Sequence, residues 1–325
     1  MGPALEAIAA QLRDDDELIV VDSGSTDGTP DAVRESAPGA TLIEAGENLG
    51  FAAASNRGAA ISSGDLLLFL NPDAVVAPGF REAIERPLTE RRGWGAWQGL
   101  VTADGGRTIN SRGGEVHFTG IAWAGGAGEA MTDPPAAGLE PGFVSGACLA
   151  VPAAAFEELG GFAEDFFLYH EDVDLSLRVR LAGGRLGVER SARVDHDYEF
   201  EKGPEKWRRL ERNRWATLVR TYPAGLLGLL MPALLATEVA LVPISIAGGW
   251  LTQKLASWWD VIRWLPRLRR ERRAIQATRR VGPAAFAGGL TPDLDSAYLG
   301  AAGRSRALRA VLRGYWSAVL AVLPD

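Results

Sequence analysis

The chain has 325 residues, 47% of them apolar and 23% charged, a balance that excludes a disordered polypeptide and leaves room for one large or two ordinary domains. Its single cysteine, Cys148, excludes an intramolecular disulfide and reads as a small buried hydrophobe in a reducing compartment. The net charge of −7 is unevenly divided: residues 1–203 carry 15 Lys/Arg against 33 Asp/Glu, and residues 204–325 carry 19 against 8. An acidic front half excludes nucleic acid as its partner, because phosphate backbones require cationic contacts, whereas the basic rear half suits nucleic acid or an anionic membrane surface.

The start has no basic flank followed by an apolar run, so no signal peptide is expected. Residues 17–22, Glu-Leu-Ile-Val-Val-Asp, form a short apolar strand ending in an acid. A loop of Ser, Gly, Thr and Asp follows, and Thr29-Pro30-Asp31 opens a helix. Thr41 to Glu44 is a second strand, Ala52 to Ile61 a helix and residues 65–70 a third strand. Strands alternating with helices imply βαβ units and a largely parallel sheet, with ligands at the carboxyl ends of its strands. Residues 99–142, rich in Gly, Asp and Thr, suggest hairpins and loops. From Phe143 the chain gives a strand and then a helix ended by Gly160-Gly161; a further helix starts near Glu171 and stops at Gly183-Gly184.

Asp22 and Asp73 each end an apolar strand, and a third acidic group, Glu171-Asp172-Val173-Asp174, stands at a loop-to-helix junction. Singly, Asp22 or Asp73 can equally cap the helix that follows. Together, on one edge of a sheet and without basic partners, such acids repel and call for a cation. Oxygen ligands suit Mg²⁺ or Mn²⁺, bound jointly with substrate phosphates. Asp174 and Arg178, four apart, are equally an intrahelical ion pair or part of the site. No Gly-x-Gly-x-x-Gly follows a strand, which excludes a dinucleotide oxidoreductase.

Five stretches occur in order: VVDSGSTDGT, ENLGFAAASNRG, LLFLNPDAVV, FVSGACLAVPAAAFEELGGF and FFLYHEDVDLSLRVRLAGG. They resemble the family-2 inverting glycosyltransferases of the GT-A fold, most closely the bacterial rhamnosyltransferase-like branch, over roughly residues 4–222. The resemblance implies an α/β fold, a Rossmann-like mixed sheet flanked by helices, with residues 1–222 as the catalytic domain. It implies that Asp22 accepts from the nucleobase imide, with Ser25, Asp27, Asn48, Gly50, Asn56, Arg57, Asn71, Ser145 and Gly146 also binding the donor. Asn71-Pro72-Asp73 stands where the family has Asp-x-Asp, which leaves Asp73 as the principal carboxylate on a Mg²⁺ or Mn²⁺ ion. Asp172 matches the general base for the acceptor hydroxyl, and its neighbour Glu171 is the alternative. A histidine at the place of His196 can complete the metal shell, with Asp195 or Asp197 orienting its ring; a lone histidine is otherwise structural. His117 and His170 have no such support. The chain departs from the family in two places: the family's first strand does not stand ahead of the first helix, either because the start is placed too late or because the protein lacks the strand, which would leave the sheet an unpaired edge, and Ser55-Asn56-Arg57 stands where relatives often have Arg-Asn.

Residues 221–253 contain one charge, Glu238, and exceed the ~20 residues needed to cross a bilayer. Pro232, Pro243, Gly248-Gly249 and the acid oppose one straight span, and arginines flank the segment on both sides. Two broken helices in the cytoplasmic leaflet are therefore expected, making residues 223–325 a membrane-associating helical region and the protein peripheral or monotopic. The last segment, Arg304 to Leu323, has apolar residues at helical spacing. The resemblance then implies transfer of rhamnose or a similar sugar from a dTDP- or UDP-sugar to a lipid-linked glycan in cell-envelope polysaccharide synthesis. Glu211-Arg212-Asn213-Arg214-Trp215 faintly resembles the Gln-x-x-Arg-Trp of processive polysaccharide synthases, one alternative; a catalytically inactive membrane-bound scaffold is the other.

Overall fold

The computed structural model describes residues 1–131, 140–197, 203–295 and 305–324. Helix α1 (Gly2–Ala9) precedes β1 (Ile19–Asp22), α2 (Thr29–Ser36), β2 (Thr41–Glu44), α3 (Gly50–Ala59) and β3 (Leu66–Leu70), an alternation that follows the apolar runs and turn residues of the sequence. Then come β4 (Val75–Val76), α4 (Phe80–Thr89), β5 (Trp94–Ala103), β6 (Thr108–Ser111) and the small hairpin β7 (Gly114–Val116) and β8 (Ala122–Ala124). The catalytic half closes with β9 (Cys148–Pro152), α5 (Ala153–Glu158), α6 (Glu171–Leu181) and β10 (Arg185–Asp195).

The sheet is mixed rather than largely parallel. Its order is β3–β9–β5–β10–β4, with β6 also on β5. Only β5–β10 pairs parallel there; β3–β9, β5–β9, β5–β6 and β4–β10 are antiparallel. The reversal comes from the stretch after β5, which turns back at Gly105-Gly106 and reaches β9 without a crossover helix, the connection that parallel strands require. β5 itself is hidden in sequence by Gly95 and Gly99. Gly99 is required by packing: a Cβ there would lie 2.5 Å from the Ala192 carbonyl oxygen of β10.

β1 and β2 pair parallel as a separate two-stranded sheet. Among the described residues β1 pairs only with β2 and β3 only with β9, so each has one unladdered edge. Their beginnings are held together by Glu17, whose carboxylate accepts from the Ser63 amide at 2.9 Å and hydroxyl at 2.8 Å.

The rear of the chain is helical: α7 (Glu205–Thr221), α8 (Ala224–Ala247), α9 (Leu251–Ala277), α10 (Pro283–Ala287) and α11 (Arg306–Val322). Salt bridges Arg208–Asp260 and Arg220–Glu271 align α7 and α9 in parallel against each other, and α8, between them in sequence, runs back the opposite way. Of the breaks expected within residues 221–253, the one at Gly248-Gly249 occurs and those at Pro232 and Pro243 do not. α8 runs through both Pro232 and Pro243 for about 36 Å, and the chain turns only at Gly248-Gly249. Both prolines stand at exposed positions, where a freed carbonyl can be solvated, while Leu226, Leu230 and Leu234 hold the opposite face fully buried. These leucines share one apolar cluster with Phe118, Val173 and Leu177 of the catalytic half and Trp316 and Val319 of α11.

Glu238, the acid midway along α8, is not isolated. It accepts from Arg214, from the indole N–H groups of Trp215 (2.9 Å) and Trp258, and from Lys254 Nζ at 2.7 Å. Burial alone would raise the neighbouring Glu211 carboxyl, but Arg214 and Lys254 beside it hold it down to about 2. The three helices are thus pinned by a buried charge cluster.

Candidate active site

Strand β3 delivers the Asn71-Pro72-Asp73 turn. Asn71 anchors it, its amide donating to the Ala147 carbonyl (3.2 Å) and its own carbonyl accepting from Ala74 (3.0 Å). His196 stands just after β10 and is buried; its amide donates to Thr102 (2.8 Å) and its carbonyl accepts from Asn110 Nδ2 (2.8 Å). Its Nε2 lies 3.2 Å from Asp73 Oδ1 and 3.2 Å from Asn71 Nδ2. Two residues 123 apart in sequence therefore meet because β3 and β10 end on the same side of the sheet. The carboxylates expected to orient the ring hold a turn: Asp195 accepts from Thr102 Oγ1 and the Gly105 and Gly106 amides, and Asp197 from the Asp104 amide.

One carboxylate, one imidazole and one amide side chain suit Mn²⁺ or Mg²⁺ when phosphate oxygens and water complete the shell. Among the described residues no group of three or more His, Cys, Asp or Glu is placed to hold a metal ion, so the chain itself offers this sparse set.

The loop before β9 faces the start of α6. The Gly146 amide donates to Asp172 Oδ2 at 3.0 Å, Val144 to Ser176 Oγ at 3.1 Å, and Ser145 to Gln98 Oε1 at 2.9 Å. Burial pushes the Asp172 carboxyl up, opposed by the amides of Gly146 and Val173. Glu171 is raised well above the carboxylate range, first by burial and then by Asp172, and its Oε2 has no hydrogen-bond partner among the described residues. Of the two, Glu171 keeps the proton and Asp172 ionises first.

The loop leading into α6 is strained, with positive φ at Phe167 (64°), Tyr169 (74°) and His170 (67°). It is held from behind by α7, whose fully buried Asn213 amide donates to the carbonyls of Phe166 (3.0 Å), Leu168 (3.0 Å) and Tyr169 (2.7 Å). Arg212 donates to Asp165 and Phe166, and Arg214 to Thr119. The Glu211-Arg212-Asn213-Arg214-Trp215 stretch thus braces the site, a role that its faint likeness to a synthase motif does not reveal. Sequence reasoning missed Asn213; the available signal was a polar residue at a buried position of an amphipathic helix.

The remaining candidates lie along the N-terminal loops. Asp22 Oδ2 accepts from the Gly24 (3.2 Å) and Ser25 (3.1 Å) amides, so this carboxylate shapes its own loop. Exposed Asp27 accepts from the hydroxyl and amide of Thr29, which lower its pKa. Asn48 Oδ1 accepts from the Gly50 amide at 3.0 Å. Gly50 must be glycine: φ is 72°, and a Cβ would lie 2.5 Å from the Phe167 carbonyl oxygen, so this loop packs directly on the one before Asp172. Asn56 is tied to the Phe162 turn by both ends of its amide (2.9 and 2.8 Å), whereas Arg57 is exposed. Asp174 forms an ion pair with Arg178 (2.7 Å) and a second with Arg220 (2.9 Å), which accounts for it as structure. Cys148 is fully buried and its thiol is pushed up to about 12, so it is inert.

Comparison with known proteins bears on the family and the fold. The profile of Glycosyl transferase family 2 matches residues 1–141. The N-acetylglucosaminyl-diphospho-decaprenol L-rhamnosyltransferase of Mycobacterium tuberculosis is 31% identical over 246 residues, covering 67% of this chain and 80% of that protein. Among solved structures, S. aureus TarS 1-349 in complex with UDP superposes with a TM-score of 0.52 at 13% identity, covering 98% of this chain and 84% of that one. The same protein without UDP gives 0.51 at 13% identity, covering 97% and 87%. By the matched profile and a relative at this identity and coverage, the chain belongs to glycosyl transferase family 2 and is a glycosyltransferase of the GT-A fold.

Proposed function

We propose that the protein transfers rhamnose or a similar sugar, with inversion, from a dTDP- or UDP-sugar to a hydroxyl of a lipid-linked glycan at the cytoplasmic face of the membrane, in cell-envelope polysaccharide synthesis. One observation carries the reading: a path of hydrogen bonds runs from Asp172 through Gly146-Ala147 and Asn71 to His196 and Asp73. It ties a half-buried base to the corner where phosphate and metal would bind. The rhamnosyltransferase relative is named for a decaprenol-linked substrate, which supports an acceptor of that class.

In this reading Asp172 takes the proton of the acceptor hydroxyl on the face opposite the leaving group. Asp22 accepts from the base, and Ser25, Asp27, Asn48, Gly50, Asn56, Arg57, Ser145 and Gly146 shape or contact the donor pocket. Asp73 and His196, with Asn71 alongside, would hold a divalent cation, which offsets charge growing on the leaving nucleoside diphosphate.

α8 is the one helix among the described residues long and apolar enough to cross a membrane. Its buried leucines and the salt-bridged Glu238 fasten it to the catalytic half, which favours docking over spanning. Leu235, Val239 and Ile246 of α8, Trp259 and Ile262 of α9 and Val311 of α11 are exposed, beside a helix rich in arginine. This surface suits the headgroup–acyl boundary of an anionic leaflet.

The test is turnover of dTDP-rhamnose, UDP-galactofuranose and UDP-GlcNAc by the purified protein with GlcNAc-diphospho-decaprenol, in Mn²⁺ or EDTA. Metal-dependent transfer from one donor, lost in Asp172→Asn, is expected. Donor binding that ignores both metal and Asp73→Ala would sink the reading. Outer-face labelling of Ala277→Cys in intact cells would overturn the peripheral placement.

A further inference from the structure

A cavity of about 470 Å³ opens where the end of α9 meets the start of α8, lined by Ala224, Arg269, Arg272, Arg273, Gln276 and Arg279. Positions 269, 272, 273 and 276 follow the i, i+3, i+4, i+7 spacing of one helix face. Two of them are fixed by the fold. Arg272 Nη1 donates to the Val219 (2.6 Å) and Tyr222 (2.7 Å) carbonyls, and Gln276 Nε2 to Thr221 (2.9 Å), closing the C-terminus of α7. Arg269, Arg273 and Arg279 make no side-chain hydrogen bond or ion pair with any described residue.

Arg81, Arg178, Arg214, Arg220 and Arg267 meet carboxylates, whereas these three arginines share one cavity without one among the described residues. The acid nearest in sequence, Glu271, is engaged by Arg220 and Arg267. Burial and the neighbouring Arg279 both push the Arg272 pKa down, the mark of cations gathered without an anion. Pro223, the N-cap of α8, contributes no capping side chain, so the positive end of that helix adds to the same field.

The cavity is separate from the catalytic residues. The Arg280 amide donates to the Leu181 carbonyl at the far end of α6, about 14 Å along the helix from Asp172. The stripe has a second half: Leu255, Trp259 and Ile262 precede Pro266, Arg269 and Arg273 at alternating spacings of four and three, and all three apolar side chains are exposed. An apolar run leading into a cationic cavity matches an amphiphile.

We propose that this cavity binds a phosphate group carried by a membrane lipid, whose chain lies along Leu255, Trp259 and Ile262. The shared chemistry is the phosphate, which a lipid headgroup or a free anion can supply. The lipid source rests on the membrane docking proposed above; the phosphate site does not, and neither depends on glycosyl transfer.

The full chain is tested as wild type, as Arg269→Gln/Arg273→Gln and as the charge-matched control Arg263→Gln/Arg270→Gln, whose positions lie off the stripe. Affinity is measured for phosphatidylcholine vesicles with and without phosphatidylglycerol, and separately for inorganic pyrophosphate by calorimetry. The stripe variant should lose affinity for phosphatidylglycerol vesicles about tenfold more than the control, and should lose pyrophosphate binding. Loss in the vesicle arm alone supports the lipid source, and loss in the pyrophosphate arm alone supports a soluble one. Equal losses in both variants, or none in either, overturn the site. If wild type ignores vesicles altogether, the docking reading fails and the pyrophosphate arm alone decides.

Discussion

The Gly146 amide donates to Asp172 Oδ2 at 3.0 Å while the Val173 amide donates to Oδ1 at 2.8 Å, so both oxygens of a half-buried carboxylate are held by backbone N–H groups. Such bonds favour the ionised form against the desolvation that opposes it. A base fixed this way costs no reorganisation when the acceptor arrives. Asp172→Asn should reduce turnover by about 10²–10⁴-fold with donor affinity nearly unchanged, measured by transfer assay and calorimetry. Loss of donor binding would assign Asp172 to the fold instead.

Glu171 predicts a different outcome. Because burial and Asp172 keep it protonated, Glu171→Gln copies its working form and should hold activity at neutral pH within about tenfold. Its folded pKa lies above its unfolded one, so the native state binds the extra proton; stability is full below the ordinary carboxylate range and is lost as pH rises through the raised value. The variant should remove that slope in denaturation curves recorded across pH.

His196 and Asp73 meet at 3.2 Å, which makes them interdependent. His196→Ala and Asp73→Ala should each raise the Mn²⁺ concentration giving half-maximal transfer by about 10–100-fold, and Asn71→Ala by less. Metal titrations of the three variants check the ranking.

Asn213 is the brace behind the strained loop. Asn213→Ala leaves the Leu168 and Tyr169 carbonyls without that donor, while Phe166 keeps Arg212, and should cost about 1–3 kcal/mol of stability. It should also lower kcat more than it raises KM for the donor, since the loop leads into Asp172. Thermal melts and steady-state kinetics separate the two effects.

Glu238 joins α8 to α7 and α9. Glu238→Ala leaves Arg214 and Lys254 short of a partner in a buried setting and should cost about 3–5 kcal/mol, read from urea denaturation. An unchanged midpoint would show that the apolar helix is held by its leucines alone.

The sequence by itself determined the local elements and the order of the acids. The apolar runs ending at Asp22 and Leu70, the Gly-Gly stops and the acidic start of α6 follow from short-range rules of turn, cap and periodicity. The placement of Asp73 and Asp172 within the ordered motifs, and of His196 after the strand that follows them, was also legible, because each sits at an element end marked by its neighbours. Only the tertiary structure decided what those rules do not reach. Strand β5 was obscured because Gly95 and Gly99 are there for close approach to neighbouring elements, not for a turn. α8 passes through two prolines because burial of Leu226, Leu230 and Leu234 outweighs their local preference to break a helix. Asn213 and Glu238 take their meaning from partners 16 to 47 residues away in the chain, and contacts of that range leave no periodic trace in a sequence.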